Sequence, residues 1–175
     1  MRGIERLYSV ERSTPAMQEA LPDLPMVETV MVRLIRITGT GMGQFFEPVF
    51  RSMGLNENSF HVLCLLMAAE NGRASPSELS DLVGVSRANM TRILDALVSE
   101  GLVSRTIEER DARRHTIQIA RAGRKVASEA VPRLAGPLTR AFSGLSKEEI
   151  SQLGILLRKV IKSFDQTVLP FRASA

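Results

Sequence analysis

Between residues 75 and 119 the helical spacing of apolar residues is interrupted once and then gives way to strand-like stretches. Leu79, Leu82 and Val83 recur at helical spacing, and after Gly84 so do Met90, Ile93, Leu94, Leu97 and Val98. Beyond Gly101 the stretches Leu102 to Ile107 and His115 to Ile119 have strand character, and the charged run EERDARR separates them. The helix ends are marked as clearly as the faces. Ser75, Pro76 and Glu78 form a Ser-x-x-Glu start with proline where a missing N–H costs nothing. Gly84 breaks the first helix, Ser86 is a natural cap for the second, and Gly101 stops it. The pattern predicts a helix, a tight turn, a second helix and a hairpin with a basic tip, which is a winged helix-turn-helix.

The flanks are helical. Residues 1–25 form an extension in which Ile4, Leu7 and Tyr8 suit a short helix before Pro15, Pro22 and Pro25. It is expected to sit loosely on the domain or to cross to a partner subunit. Pro25 and Met26 open a long helix over 26–54 in which Val27, Val30, Met31, Leu34, Ile35 and Ile37 make an apolar surface too broad for one contact. Gly39, Gly41 and Gly43 follow. No strand precedes them and no Lys-Ser/Thr follows, so they read as a bent or closely packed part of that helix rather than a phosphate loop. Phe45, Phe46, Val49 and Phe50 continue it to Met53-Gly54. Asn56 caps the next helix, where Phe60, Leu63, Cys64 and Met67 repeat at i, i+3, i+4, i+7, and Asn71-Gly72 closes it. After the hairpin, a helix from Ala122 to about Leu138 should be kinked or interrupted by Pro132 and Gly136-Pro137. A second capping box, Ser146 with Glu149, starts a last amphipathic helix carrying Ile150, Leu153, Leu156, Leu157, Val160, Ile161 and Phe164. The fold class is mainly α with a small β-hairpin wing: residues 55–121 form the winged unit, and 26–54 and 122–175 form a helical dimerisation region.

Charge sharpens the picture. Residues 84–125 hold nine basic and five acidic residues, a surplus equal to the formal net charge of +4 of the whole chain. The polar side of the second helix carries Ala88, Thr91, Arg92, Asp95 and Ser99, and its first turn adds Arg87 and Asn89. A small, cationic front on an apolar-backed helix suits a DNA major groove. The wing tip has no apolar residue except Ala112, so a phosphate backbone or minor groove would order it. The candidate DNA contacts are Ser75, Ser86, Arg87, Ala88, Asn89, Thr91 and Arg92, with Arg110, Asp111, Arg113 and Arg114 in the wing. The alternative is a winged-helix protein–protein module without DNA binding, which has no need for Arg92, Arg110 and Arg113 on one surface.

Other chemistry is thin. No metal or catalytic motif occurs; His61 and His115 stand apart, and neither a cofactor nor an enzymatic activity is expected. Aromatics are 5% of the chain and tryptophan is absent, which excludes a single-strand stacking platform. The longest apolar run, Val62 to Ala69, is too short for a bilayer, and the N-terminus has no apolar signal core. One cysteine excludes an internal disulfide and fits the cytoplasm, and on the apolar side of its helix Cys64 reads as an inert thiol.

The stretch resembles the MarR family of transcriptional regulators. The resemblance rests on Ser86, Thr91 and Leu97 in the second helix, Glu-Gly-Leu-Val at 100–103, Arg105, Asp111-x-Arg113 and Gly123. One departure is Ala120, where the family carries a capping threonine, so the resemblance leaves the start of the following helix open. It implies that the flanking helices interlock two chains into a homodimer reading a palindromic site, and that Arg113 enters the minor groove. It further implies a ligand-responsive repressor, released from double-stranded DNA by a small aromatic or phenolic effector near Phe60, His61 and Cys64. Urate-type members share the EERDARR wing but have Trp-Asp where Phe60-His61 stands, which argues against urate. Members that sense oxidants do so through a cysteine near the start of the first helix, and none occurs there.

Overall fold

The computed structural model describes residues 3–108 and 111–166, with only the backbone described at 107, 108, 111–114, 165 and 166. Seven helices and a three-stranded antiparallel sheet are described: α1 (Gly3–Ala20), α2 (Met26–Arg51), α3 (Glu57–Ala68), β1 (Arg73–Ala74), α4 (Pro76–Val83), α5 (Arg87–Ser99), β2 (Val103–Glu108), β3 (Asp111–Ile119), α6 (Arg121–Ala141) and α7 (Lys147–Gln166). The chain divides into two compact units, Met1–Ala135 and Gly136–Ala175.

In the first unit the helix starts follow their capping side chains. The Ser59 N–H donates to Asn56 Oδ1 at 2.9 Å, the Glu78 N–H to Ser75 Oγ at 3.2 Å, and the Asn89 N–H to Ser86 Oγ at 3.3 Å. Gly84 and Gly101 end α4 and α5 at φ of +75° and +68°, the left-handed region where glycine carries no steric cost. The core gathers α3, α4, α5 and the sheet around Val62, Leu63, Leu66, Leu79, Met90, Leu94, Leu97 and Ile117, all essentially without solvent. A second cluster joins α2 to α6 through Phe46, Phe50, Ala130 and Leu134, and Phe60 touches both. The Phe50 and Phe60 rings stand 5.6 Å apart, within the range of favourable aromatic pairs.

Several expectations are corrected. The N-terminal extension is an 18-residue helix that continues through Pro15. It lies along α2, with Val10 buried and Arg33 donating to Ser13 Oγ at 2.9 Å. It half-covers Val30, Leu34 and Ile37, while Val27, Met31 and Ile35 remain exposed, so the broad apolar surface of α2 is only partly used. Likewise α6 runs unbroken past Pro132 and Pro137. Pro15, Pro48 and Pro132 sit on the solvent side of their helices and Pro137 is half-buried. Helices bend away from core on their wet side, which is where a lost N–H is best tolerated. Gly39, Gly41 and Gly43 are helical, but among the described residues nothing lies within 4 Å of a Cβ placed on them, so close contact with those residues is not their reason.

The buried side of α3 is Ser59, Val62, Leu63 and Leu66, one residue off the expected Phe60–Met67 stripe, and Met67 is exposed. Nearly every residue from Phe60 to Ala68 is apolar, so periodicity alone cannot choose the face. On α4, Leu79 is buried but Leu82 is 56% exposed, because two turns present only one narrow strip to the core. β1 was not anticipated: it is two residues long, pairing Arg73 with Gln118 and Ala74 with Ile117, and gives the strand order β1-β3-β2.

In the second unit the Ser146–Glu149 box closes in both directions. The Ser146 N–H donates to Glu149 Oε2 at 2.7 Å and the Glu149 N–H to Ser146 Oγ at 3.1 Å. The helix it starts, α7, leaves Ile150, Leu153, Leu156, Leu157, Val160, Ile161 and Phe164 exposed.

Candidate nucleic-acid interface

The sidedness of α5 is set by its own sequence. Met90, Ile93, Leu94 and Leu97 turn into the core, and this fixes Arg87, Ala88, Asn89, Thr91 and Arg92 outward, all exposed. The first turn holds no acidic residue. Its free N–H groups and Arg87 therefore act together as positive charge at the helix start, the end that favours phosphate. Thr91 donates its hydroxyl to the Arg87 carbonyl at 3.0 Å, which leaves its oxygen free to accept. Ser75 and Ser86 each place a side-chain oxygen in a helix cap, and Ser75 is half-buried beside Ser77, 3.1 Å away. Both serines thus have structural work whatever else they touch.

The wing is longer than its sequence suggests. β2 reaches Glu108 and β3 starts at Asp111, so Asp111 to Arg114 are on a strand rather than in a loop, with the register broken between Ile107 and Glu108. Arg110, and the side chains of Asp111, Arg113 and Arg114, lie outside the described residues. The root of the wing is tied to α5 twice. A turn is closed by the Leu102 N–H on the Leu97 carbonyl (2.9 Å), and Arg105 Nη2 reaches Asp95 Oδ1 at 2.9 Å. Arg105 lies opposite buried Ile117 in the ladder, so its stem covers core while its head meets the helix. This contact was missed in the sequence. Ten residues and a turn separate the partners, and no periodicity links them.

Gly123 explains itself at the same junction. It is buried in the first turn of α6, and a Cβ there would fall on the Leu102 carbonyl oxygen, which already accepts from the Ala120 N–H at 3.0 Å. α6 starts at Arg121, and the Ala120 carbonyl accepts its first helical hydrogen bond from the Arg124 N–H at 3.0 Å.

The three residues singled out for an effector separate. Phe60 and Cys64 are half-buried, Phe60 within the aromatic cluster, and burial pushes the Cys64 thiol above its ordinary pKa, which keeps it a thiol. His61 is exposed on the outer side of α3. An open cleft of about 600 Å³ lies between α2, the start of α3 and α5, with Thr40, Gln44, Asn56 and Asn89 in its walls. Among the described residues no group of three or more His, Cys, Asp or Glu could hold a metal, and no helix is long and apolar enough to cross a membrane.

Residues 55–115 match the profile of the MarR family. The transcriptional repressor MprA of Escherichia coli is 32% identical over 144 residues, which is 82% of this chain and 82% of MprA. The chain belongs to the MarR family. It is a DNA-binding transcriptional regulator and not an enzyme. Two solved structures share its fold. Sco3205 of Streptomyces coelicolor, in complex with DNA, gives a TM-score of 0.74 at 20% identity, over 80% of this chain and 89% of that one. Bordetella bronchiseptica BpsR, whose DNA binding is regulated by 6-hydroxynicotinic acid, gives 0.69 at 22% identity, over 74% and 97%.

Proposed function

We propose that this MarR-family protein is a cytoplasmic repressor that binds a palindromic operator as a homodimer and is released by a small aromatic or phenolic effector. The observation that carries it is the segregation on α5: four buried apolar anchors hold an exposed, acid-free first turn with Arg87, Asn89, Thr91 and Arg92 toward solvent. Such a face meets base edges in the major groove, with Asp111, Arg110, Arg113 and Arg114 of the wing on the flanking backbone and minor groove. Residues 55–121 are the DNA-binding region in this reading. Residues 26–54 and 122–175 join the two chains through the exposed apolar sides of α2 and α7. Two-fold pairing sets two α5 helices about one DNA turn apart. MprA supports repression, the Sco3205 complex supports the DNA mode, and BpsR supports a small aromatic acid as effector. His61 is the polar group on α3 that such a ligand would meet.

The direct test is a footprint on the DNA upstream of the gene, with and without a panel of aromatic acids. A protected palindrome that is lost with one acid is expected; no protection over random sequence overturns the reading. Sedimentation at low micromolar concentration is expected to give one species of twice the 19.3 kDa chain mass, and a folded monomer there would refute the dimer. Arg92→Ala is expected to cost about 1–3 kcal/mol on the operator and far less on random DNA. Equal losses on both would make Arg92 a phosphate clamp.

A further inference from the structure

We propose that the Asp95–Arg105 ion pair is a positioning device that holds the wing at a fixed angle to the recognition helix, so that both reach DNA together. The inference rests on the DNA-binding reading above. Asp95 lies on the polar side of α5, one turn beyond Arg92, where a bare carboxylate would repel phosphate. Arg105 Nη2 sits 2.9 Å from its Oδ1, offsetting that charge and linking α5 to β2. Leu102, Val103 and Ile117 seat the root of the hairpin in the core beside α5. The ion pair adds a polar attachment further along β2, beyond the Leu97–Leu102 hydrogen bond at the turn. One Nη2 hydrogen bond holds Asp95, and with the two charges offset the pair acts as a spacer between helix and hairpin.

Bulk electrostatics and positioning predict opposite signs. Asp95→Asn removes a negative charge from the DNA side and should tighten binding if charge alone matters. Under the proposal, Asp95→Asn and Arg105→Gln each weaken binding to the footprinted duplex, by about threefold to tenfold, and the double variant is no weaker than the weaker single. Binding of a random-sequence duplex should not weaken with Asp95→Asn, and the slope of affinity against salt should stay unchanged in all three. Fluorescence anisotropy with both duplexes at several salt concentrations reads these quantities. An exposed pair contributes little to stability, so unaltered thermal unfolding is expected and serves as the control. Tighter operator binding by Asp95→Asn, a double variant restored to the parent affinity by cancellation, or a salt slope lowered by about one in Arg105→Gln would each overturn it. A parent protein that does not distinguish the two duplexes would instead remove the DNA-binding reading itself.

Discussion

Gly123→Ala is expected to destabilise the winged unit by about 1–3 kcal/mol, and by more if the backbone cannot yield. The added methyl would meet the Leu102 carbonyl oxygen and come to 3.1 Å from the Ile119 side chain. Neither neighbour can swing aside. Leu102 is in the turn that leaves α5 and its carbonyl is committed to the Ala120 N–H, while Ile119 is the buried last residue of β3. The first turn of α6 would have to lift off the sheet. Urea unfolding measures the loss as a lower midpoint. Gly136→Ala in the same helix is the control: among the described residues nothing lies within 4 Å of its Cβ position, so it should be neutral or stabilising by up to about 1 kcal/mol. Equal midpoints for Gly123→Ala and its parent would show that the close approach to Leu102 is not a constraint.

The larger functional effect is expected on α7. Leu153→Glu with Leu157→Glu should separate the two chains and cost on the order of 10³-fold in operator affinity, toward the non-specific level. The helix has a complete capping box, yet among the described residues of its own unit its apolar stripe has no cover, and Phe164 near its far end is 70% exposed. An exposed apolar stripe of that length marks a contact surface. Sedimentation should report the 19.3 kDa chain mass for the double variant. Gln152→Glu, on the polar side, should change neither mass nor affinity. A dimer that survives both glutamates would move the interface away from α7.

What was legible in the sequence was local chemistry. Ser75, Asn56, Ser86 and Ser146 each announce a helix start because a side-chain oxygen replaces a missing backbone partner within three residues. Gly84 and Gly101 announce stops because only glycine adopts a left-handed conformation cheaply. What was not legible depends on neighbours far along the chain. Arg73 and Ala74 form a strand only because β3 is beside them, and Asp95 and Arg105 pair only because the turn folds β2 back along α5. The prolines do not interrupt their helices for a related reason. A proline ends an isolated helix, but Ala130 and Leu134 are buried on either side of Pro132, and that burial outweighs one lost hydrogen bond on the exposed side. On the site itself, the outward face of α5 followed from the inward one, whereas the apolar sequence of α3 concealed which side of it faces out.

The brevity of β1 has a further consequence. It pairs only with Ile117 and Gln118, so among the described residues no strand pairs with that edge of β3 from Asp111 to His115. An open strand edge invites a strand from another molecule, and charged residues along it are a common defence against such joining. Asp111, Arg113, Arg114 and His115 fill that stretch. The residues proposed to face DNA therefore also act against aggregation. Replacing the arginines with valine or isoleucine would test DNA binding and solubility at once; alanine or glutamine would keep the two apart.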